Sequence, residues 1–150
     1  MSTPSAWNVH GLPPQNGRTY LVTGSTAGIG YFVAEQLAGT GATVVLGARD
    51  AGKAQLAMTA IRAHVPDARL RHLDLDLSSL GSIRTAALTL DQAGDLDGIV
   101  LNAGVLAQRQ RRQTADGHEL VYGTNHLGHF ALAAQLYPAL ARTPEAGSSP

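Results

Sequence analysis

The sequence predicts an α/β fold: an incomplete, doubly wound parallel sheet of about four strands with helices on both faces. Three observations carry that expectation. Strand-like apolar runs alternate with helical spacing four times along 150 residues. The runs are nearly continuous in apolar character, which marks strands buried on both faces. Three glycines, Gly24, Gly28 and Gly30, stand where the first run meets the first helix. One domain is the default for this length, and its crossovers should be right-handed.

The elements follow in order. Residues 1–17 hold Pro4, Gly11, Pro13, Pro14 and Gly17 without a period. They read as a flexible N-terminal arm, with Trp7 and Leu12 as the residues to pin it; the domain occupies 18–150. RTYLVTG, 18–24, is a buried strand ended by Gly24. Ile29, Phe32, Val33, Gln36 and Leu37 give helical spacing over about 28–39, and Gly39 with Gly41 ends it. ATVVLGA, 42–48, is a second strand. Asp50 is the N-cap of a helix that reaches about 64 and stops before Pro66. ARLRHLDLDL, 68–77, alternates apolar and polar residues as a third strand. Ser78 or Ser79 caps a helix over about 80–92. DGIVLNAG, 97–104, is a fourth strand, residues 105–116 a polar loop, and 117–142 one long helix. The tail, 143–150, reads as a turn or frayed end.

Composition narrows the function. The chain is 44% apolar and 15% charged, with zero formal net charge. It has no basic footprint for nucleic acid or an anionic membrane surface. With no cysteine, disulfides, a thiol nucleophile and cysteine-bound metal are excluded. That usage suits a reducing cytosol, so a cytoplasmic location is expected. No apolar stretch approaches the length of a membrane span, and the N-terminus lacks the plan of a signal peptide.

The glycines then need a purpose. Their spacing is G-x-x-x-G-x-G at the mouth of a helix, whose free amides and partial positive charge suit an anion. A diphosphate can sit there only where no side chain blocks it. Gly24 would make the turn, Gly28 admit the ligand and Gly30 pack helix on strand. No lysine follows, so this is not the ATP- or GTP-binding P-loop. At the end of the second strand an acid favours NAD and an arginine NADP. Here the strand ends in GARD, with Arg49 placed to clamp a 2′-phosphate. Asp50 is the alternative ribose contact, though it fits better as a cap.

At this point four motifs, in order, resemble one family. TGSTAGIG (23–30), DLSSLGSIR (76–84), LNAG (101–104) and the asparagine of TNHLGHF (124–130) are similar to the short-chain dehydrogenase/reductase family, its retinol-dehydrogenase-like branch in particular. The resemblance covers about 18–142. It implies a Rossmann-type sheet of order 3-2-1-4 and a nicotinamide cofactor, NADP rather than NAD. Within the first motif, Gly24, Ser25, Thr26, Gly28, Ile29 and Gly30 would bind that cofactor. Asp76 would accept from the adenine amino group beside the Leu77 backbone, with Asp74 the competing choice. Asn102, Ala103 and Gly104 would line the nicotinamide-side ribose; Leu101 stands where members often carry a first asparagine. Asn125 would be the catalytic asparagine, interrupting its helix and holding a water on the proton relay.

The resemblance also implies a serine and a Tyr-x-x-x-Lys pair, and these are missing. Lys53 is the one lysine, and it follows Arg49 at that spacing. Tyr20, Tyr31, Tyr122 and Tyr137 are followed four residues later by Gly24, Glu35, His126 and Ala141. Ser148 and Ser149 follow no apolar strand. The expectation is therefore a cofactor-binding fragment of an oxidoreductase acting on a small carbonyl or alcohol substrate. The alternative is a non-catalytic nucleotide-binding or regulatory module, or a remnant of such an enzyme. With its fourth strand at an edge, such a chain should associate with itself or with a missing C-terminal half. His126 and His129, three apart, lack the further ligands of a metal site. Arg109, Arg111 and Arg112 read first as a solvated loop, with phosphate contact the minority reading; His118 reads as a surface residue.

Overall fold

The computed structural model describes residues 6–142. Four parallel strands, β1 (Thr19–Thr23), β2 (Thr43–Ala48), β3 (Arg69–Asp74) and β4 (Gly98–Val100), form one sheet in the order β3-β2-β1-β4. Three helices follow the first three strands: α1 (Gly28–Gly39), α2 (Ala51–His64) and α3 (Leu80–Ala93). After β4 comes a long loop. Then α4 (Leu120–Tyr122), a π-helical segment (Gly123–Gly128) and α5 (His129–Ala141) follow one another directly. This is the expected sheet and the expected order.

The two faces of the sheet carry separate cores. One joins Leu21, Val45 and Leu73 to α3 and α5 through Ile83, Leu90, Leu132 and Leu136. The other joins Val22, Val44 and Leu46 to α1 and α2 through Ala34, Ala38, Met58 and Ile61. Strands buried on both sides need the unbroken apolar runs seen in the sequence. The caps act as read. Asp50 accepts from the Lys53 amide at 2.9 Å, and Ser79, rather than Ser78, accepts from Ser82 at 3.3 Å. Gly94 closes α3 at φ +71°.

Several boundaries differ from expectation, each for a physical reason. β3 ends at Asp74, three residues early, because Leu75 and Leu77 turn into the core beneath α3 and α5. β4 covers Gly98–Val100 alone. The amides of Asn102 and Ala103 leave the ladder and donate to the Thr23 hydroxyl, both at 3.0 Å. The last helix starts at Leu120, not at 117, where Gly117 sits at φ +83°. The α1 stripe is also different. Its buried residues are the small Gly30, Ala34 and Ala38, whereas Ile29 and Phe32 are 76% and 61% exposed. Small residues at i, i+4 and i+8 let the helix lie close on the strands.

Trp7 does not pin the arm; it is 82% exposed. The arm is held further along instead. Gln15 donates its amide to Thr40 O at 2.8 Å and accepts from the Tyr20 hydroxyl at 2.6 Å. Leu12 is half-buried. The expected tail and its serines lie outside the described residues. Among the described residues no helix is long and apolar enough to cross a membrane.

Candidate cofactor site

A cavity of about 680 Å³ opens above the C-terminal ends of the strands, where open parallel sheets hold their ligands. The turn between β1 and α1 contributes Gly24, Thr26 and Ala27; β2, the turn after it and the start of α2 contribute Ala48, Arg49, Asp50 and Lys53. The segment after β3 supplies Asp76, Leu77 and Ser78, and the segment after β4 supplies Asn102, Ala103, Gly104 and Val105. Leu120 and Thr124 close the side. Residues from four separate motifs thus meet around one space.

The glycines divide the work. A Cβ on Gly24 would lie 2.7 Å from Ala103 Cα, and its φ is +65°. One on Gly30 would lie 2.2 Å from Gly24 O and 2.4 Å from the Asn102 amide nitrogen. Both positions therefore hold strand ends and helix together at a distance no side chain permits. Gly28 is different: at φ +58° it faces open space. Ala27, the N-cap residue of α1, supplies no side-chain cap. A helix mouth whose amides no side chain satisfies is suited to an anionic ligand. The Ser25 hydroxyl, fully buried beside it, has no hydrogen-bond partner among the described residues. Such an orphan is unfavourable unless something else supplies a partner.

Asn102 ties the floor. Its side-chain amide donates to Thr23 O and Gly24 O, each at 3.2 Å. Asp76 spends one carboxylate oxygen, Oδ1, on the Ser78 amide (2.9 Å) and hydroxyl (2.6 Å). Its other oxygen takes no hydrogen bond among the described residues, and the side chain lines the cavity. Asp74 is exposed and does not line it. Arg49 and Lys53 are the cations on the β2 side. Lys53 was not singled out from the sequence, although its place on the first turn of α2, one turn from Arg49, was a usable signal.

Asn125 lies in the π-helical segment, so the helix is indeed interrupted there. Its side chain accepts from the Val105 amide at 2.8 Å and donates to Val105 O at 3.0 Å. His129, one turn on, is buried and bonded at both nitrogens: Nδ1 to Asn125 O (2.9 Å) and Nε2 to the Thr23 hydroxyl (2.8 Å). A carbonyl only accepts, so Nδ1 carries the proton, and the single Thr23 hydroxyl hydrogen has two acceptors in reach, Nε2 at 2.8 Å and, more distant, Val100 O at 3.4 Å. The hydroxyl's lone pairs take the Asn102 and Ala103 amides. No local sequence pattern marks this run of hydrogen bonds. His126 instead is exposed and stacks on Tyr122 at 5.3 Å, so the two histidines point to different surroundings.

Two titrations are shifted. Glu119 is held below the usual carboxylate range by the Tyr122 and Val121 amides it caps. The Tyr31 phenol is raised, first by burial and then by its bond to Glu35. Tyr31 is thereby unsuited to act as a base near neutrality.

Comparison with known proteins agrees with this geometry. The family model described as "short chain dehydrogenase" matches residues 18–148. Polyprenol dehydrogenase from Mus musculus is 45% identical over 130 residues, 86% of this chain and 38% of the mouse protein. Polyprenol dehydrogenase from Danio rerio is 36% identical over 137 residues, 91% of this chain and 42% of the relative. Among solved structures, the Pseudomonas aeruginosa RhlG/NADP active-site complex matches with a TM-score of 0.73 at 33% identity, over 89% of this chain and 52% of that one. A metagenomic short-chain oxidoreductase in complex with NADP matches at 0.72 and 30% identity, over 83% and 57%. The chain thus spans about two fifths of the length of the curated relatives and about half of the solved structures. With its model match over nearly the whole described sequence and four motifs gathered around one cavity, the chain belongs to the short-chain dehydrogenase family.

Proposed function

We propose that this chain is the cofactor-binding part of an NADP-preferring oxidoreductase. Bound nicotinamide would supply the hydride donor or acceptor for a carbonyl or alcohol carbon. The observation that carries the reading is the α1 mouth, uncapped and opening beside Gly28 onto a cavity with Arg49 and Lys53 at its β2 side. The amides at that mouth would hold the diphosphate, and the Ser25 hydroxyl would find its missing partner there. Arg49 and Lys53 would hold the 2′-phosphate. The open oxygen of Asp76 would accept from the adenine amino group beside Leu77. Asn102, Ala103 and Gly104 would line the nicotinamide-side ribose. NADP in the two structural relatives named above supports the preference without fixing it for this chain.

Asn125 enters through its backbone. Its side chain is committed to Val105, so the carbonyl, already touched by His129, is the group that would hold a water. Residues 1–150 contain no Tyr-x-x-x-Lys, so this chain should bind cofactor without turning it over. NADPH fluorescence tests the reading. Enhancement should be lost in Arg49→Ala while NADH enhancement is spared. Equal affinity for NADPH and NADH in the unaltered chain would remove the Arg49 argument, and no binding of either would remove the whole proposal.

A further inference from the structure

The loop leaving β4 has a destination the sequence did not reveal. Ala115 donates its amide to Ser78 O at 3.0 Å, and Leu80 donates to the Asp116 carboxylate at 2.8 Å. The segment after β4 is thus tied to the segment after β3. Ser78, Gln108, Arg112 and Gln113 all line the main cavity, so this tie sets the loop at the cavity's rim beside Asp76 and Leu77. Its far limb is also fixed. Leu120 donates to Arg112 O at 2.8 Å, Thr114 donates to His118 O at 2.7 Å, and Gln113 bridges Glu119.

This places the three loop arginines differently. Arg109 and Arg111 line a separate cleft, whereas Arg112 also lines the main cavity, with Gln108 and Gln113. The Arg112 guanidinium donates to Gln108 Oε1 at 3.3 Å and forms no ion pair among the described residues. Close by in sequence order, Thr124 lines the same cavity; it is buried and its hydroxyl lacks a partner among the described residues. So the wall formed by Asp76, Leu77, Leu120 and Thr124 is met by a planar cation on a tethered backbone.

We infer that Arg112 is a binding residue for the adenine half of the cofactor, laying its guanidinium plane on the purine. This rests on the reading of the cavity as a dinucleotide site. Arginine stacks on flat π-faces and stays charged while it does so. The 2′-phosphate already has Arg49 and Lys53 on the β2 side, whereas the tether holds Arg112 toward the β3 side, where Asp76 and Leu77 stand. A contact to the base is indifferent to the 2′-phosphate, and that separates the two roles.

The test is calorimetric titration of the full 150-residue chain with NADP+, NAD+ and 5′-AMP. Arg112→Ala should weaken all three on the order of tenfold, as loss of one base-stacking partner does, and leave the NADP-to-NAD ratio unchanged. Arg112→Lys, which keeps charge but not the plane, should recover little of the loss. Arg111→Ala should bind as the unaltered chain does, and all variants should melt alike without ligand. Unchanged affinity in Arg112→Ala overturns the inference and leaves the cofactor reading standing. A loss confined to NADP+ overturns it in favour of phosphate contact, and full recovery in Arg112→Lys overturns the stacking. An unaltered chain that binds none of the three ligands overturns both readings.

Discussion

Asn125 and Val105 exchange two hydrogen bonds, amide to side-chain oxygen at 2.8 Å and side-chain amide to carbonyl at 3.0 Å. The asparagine therefore substitutes for a missing strand partner just after β4. It holds the loop against the π-helical segment and fixes the cavity wall beside Gly104, where an added Cβ would lie 3.5 Å from the Asn125 side-chain oxygen. Asn125→Ala should destabilise the chain by about 1–3 kcal/mol, since it leaves two half-buried backbone groups unpaired. Asn125→Asp at neutral pH should cost at least as much, because an acceptor then faces Val105 O. Urea unfolding measures both; two neutral substitutions would contradict the clamp.

The glycine motif separates folding from binding. Gly30→Ala should cost on the order of 1–3 kcal/mol by overpacking, because its methyl would meet Gly24 O and the Asn102 side chain. Gly28→Ala meets no atom within 4 Å, so its fold penalty is limited to about 1–2 kcal/mol of left-handed strain. Its methyl would nonetheless enter the proposed diphosphate path, and NADP+ binding should fall far more than stability does. Thermal melts run beside titrations decide this; parallel losses in Gly28→Ala would oppose it.

Glu119 caps the helical entry to Asn125, and its pKa is lowered. A depressed carboxylate adds stability above its unfolded value, and that stability disappears as pH falls through the folded value. The stability difference between the unaltered chain and Glu119→Ala should therefore be constant near neutrality. It should shrink only below the usual glutamate value of 4.5. A difference that persists far below that pH, or that fades near neutrality, would be inconsistent with the cap.

Among the described residues β4 pairs with β1 alone, and Phe130 and Tyr137 on α5 are 67% and 70% exposed. An open edge beside exposed aromatic rings favours association. The 150-residue chain should sediment as concentration-dependent oligomers. A monodisperse monomer with a cooperative melt would contradict this expectation.

How much of this was legible in the sequence depends on whether the signal was local. Strand runs, the Asp50 and Ser79 caps and the Gly24–Gly30 spacing are short-range patterns, and the structure reproduces them. Asp50 serves as the cap because its carboxylate reaches the Lys53 amide. The failures are tertiary. The face of α1 was misread because alanine and glycine, not Ile29 and Phe32, fit the narrow gap to the sheet. The Thr23–His129–Asn125 chain spans 106 residues and has no local pattern. One clue did exist. Gly128 in mid-helix is unfavourable, and a Cβ there would lie 2.2 Å from Leu77 O, so its presence marked a close contact between the last helix and the segment after β3.

Backbone-amide chemical shifts, followed while NADP+ is added to the 150-residue chain, test the central claim most directly. The largest changes should fall on Ser25–Gly30 at the start of α1 and on Arg49, with smaller ones at Asp76–Leu77 and Asn102–Gly104. Saturable changes that leave the α1 start untouched, or no changes at all, would contradict a diphosphate seated on those amides.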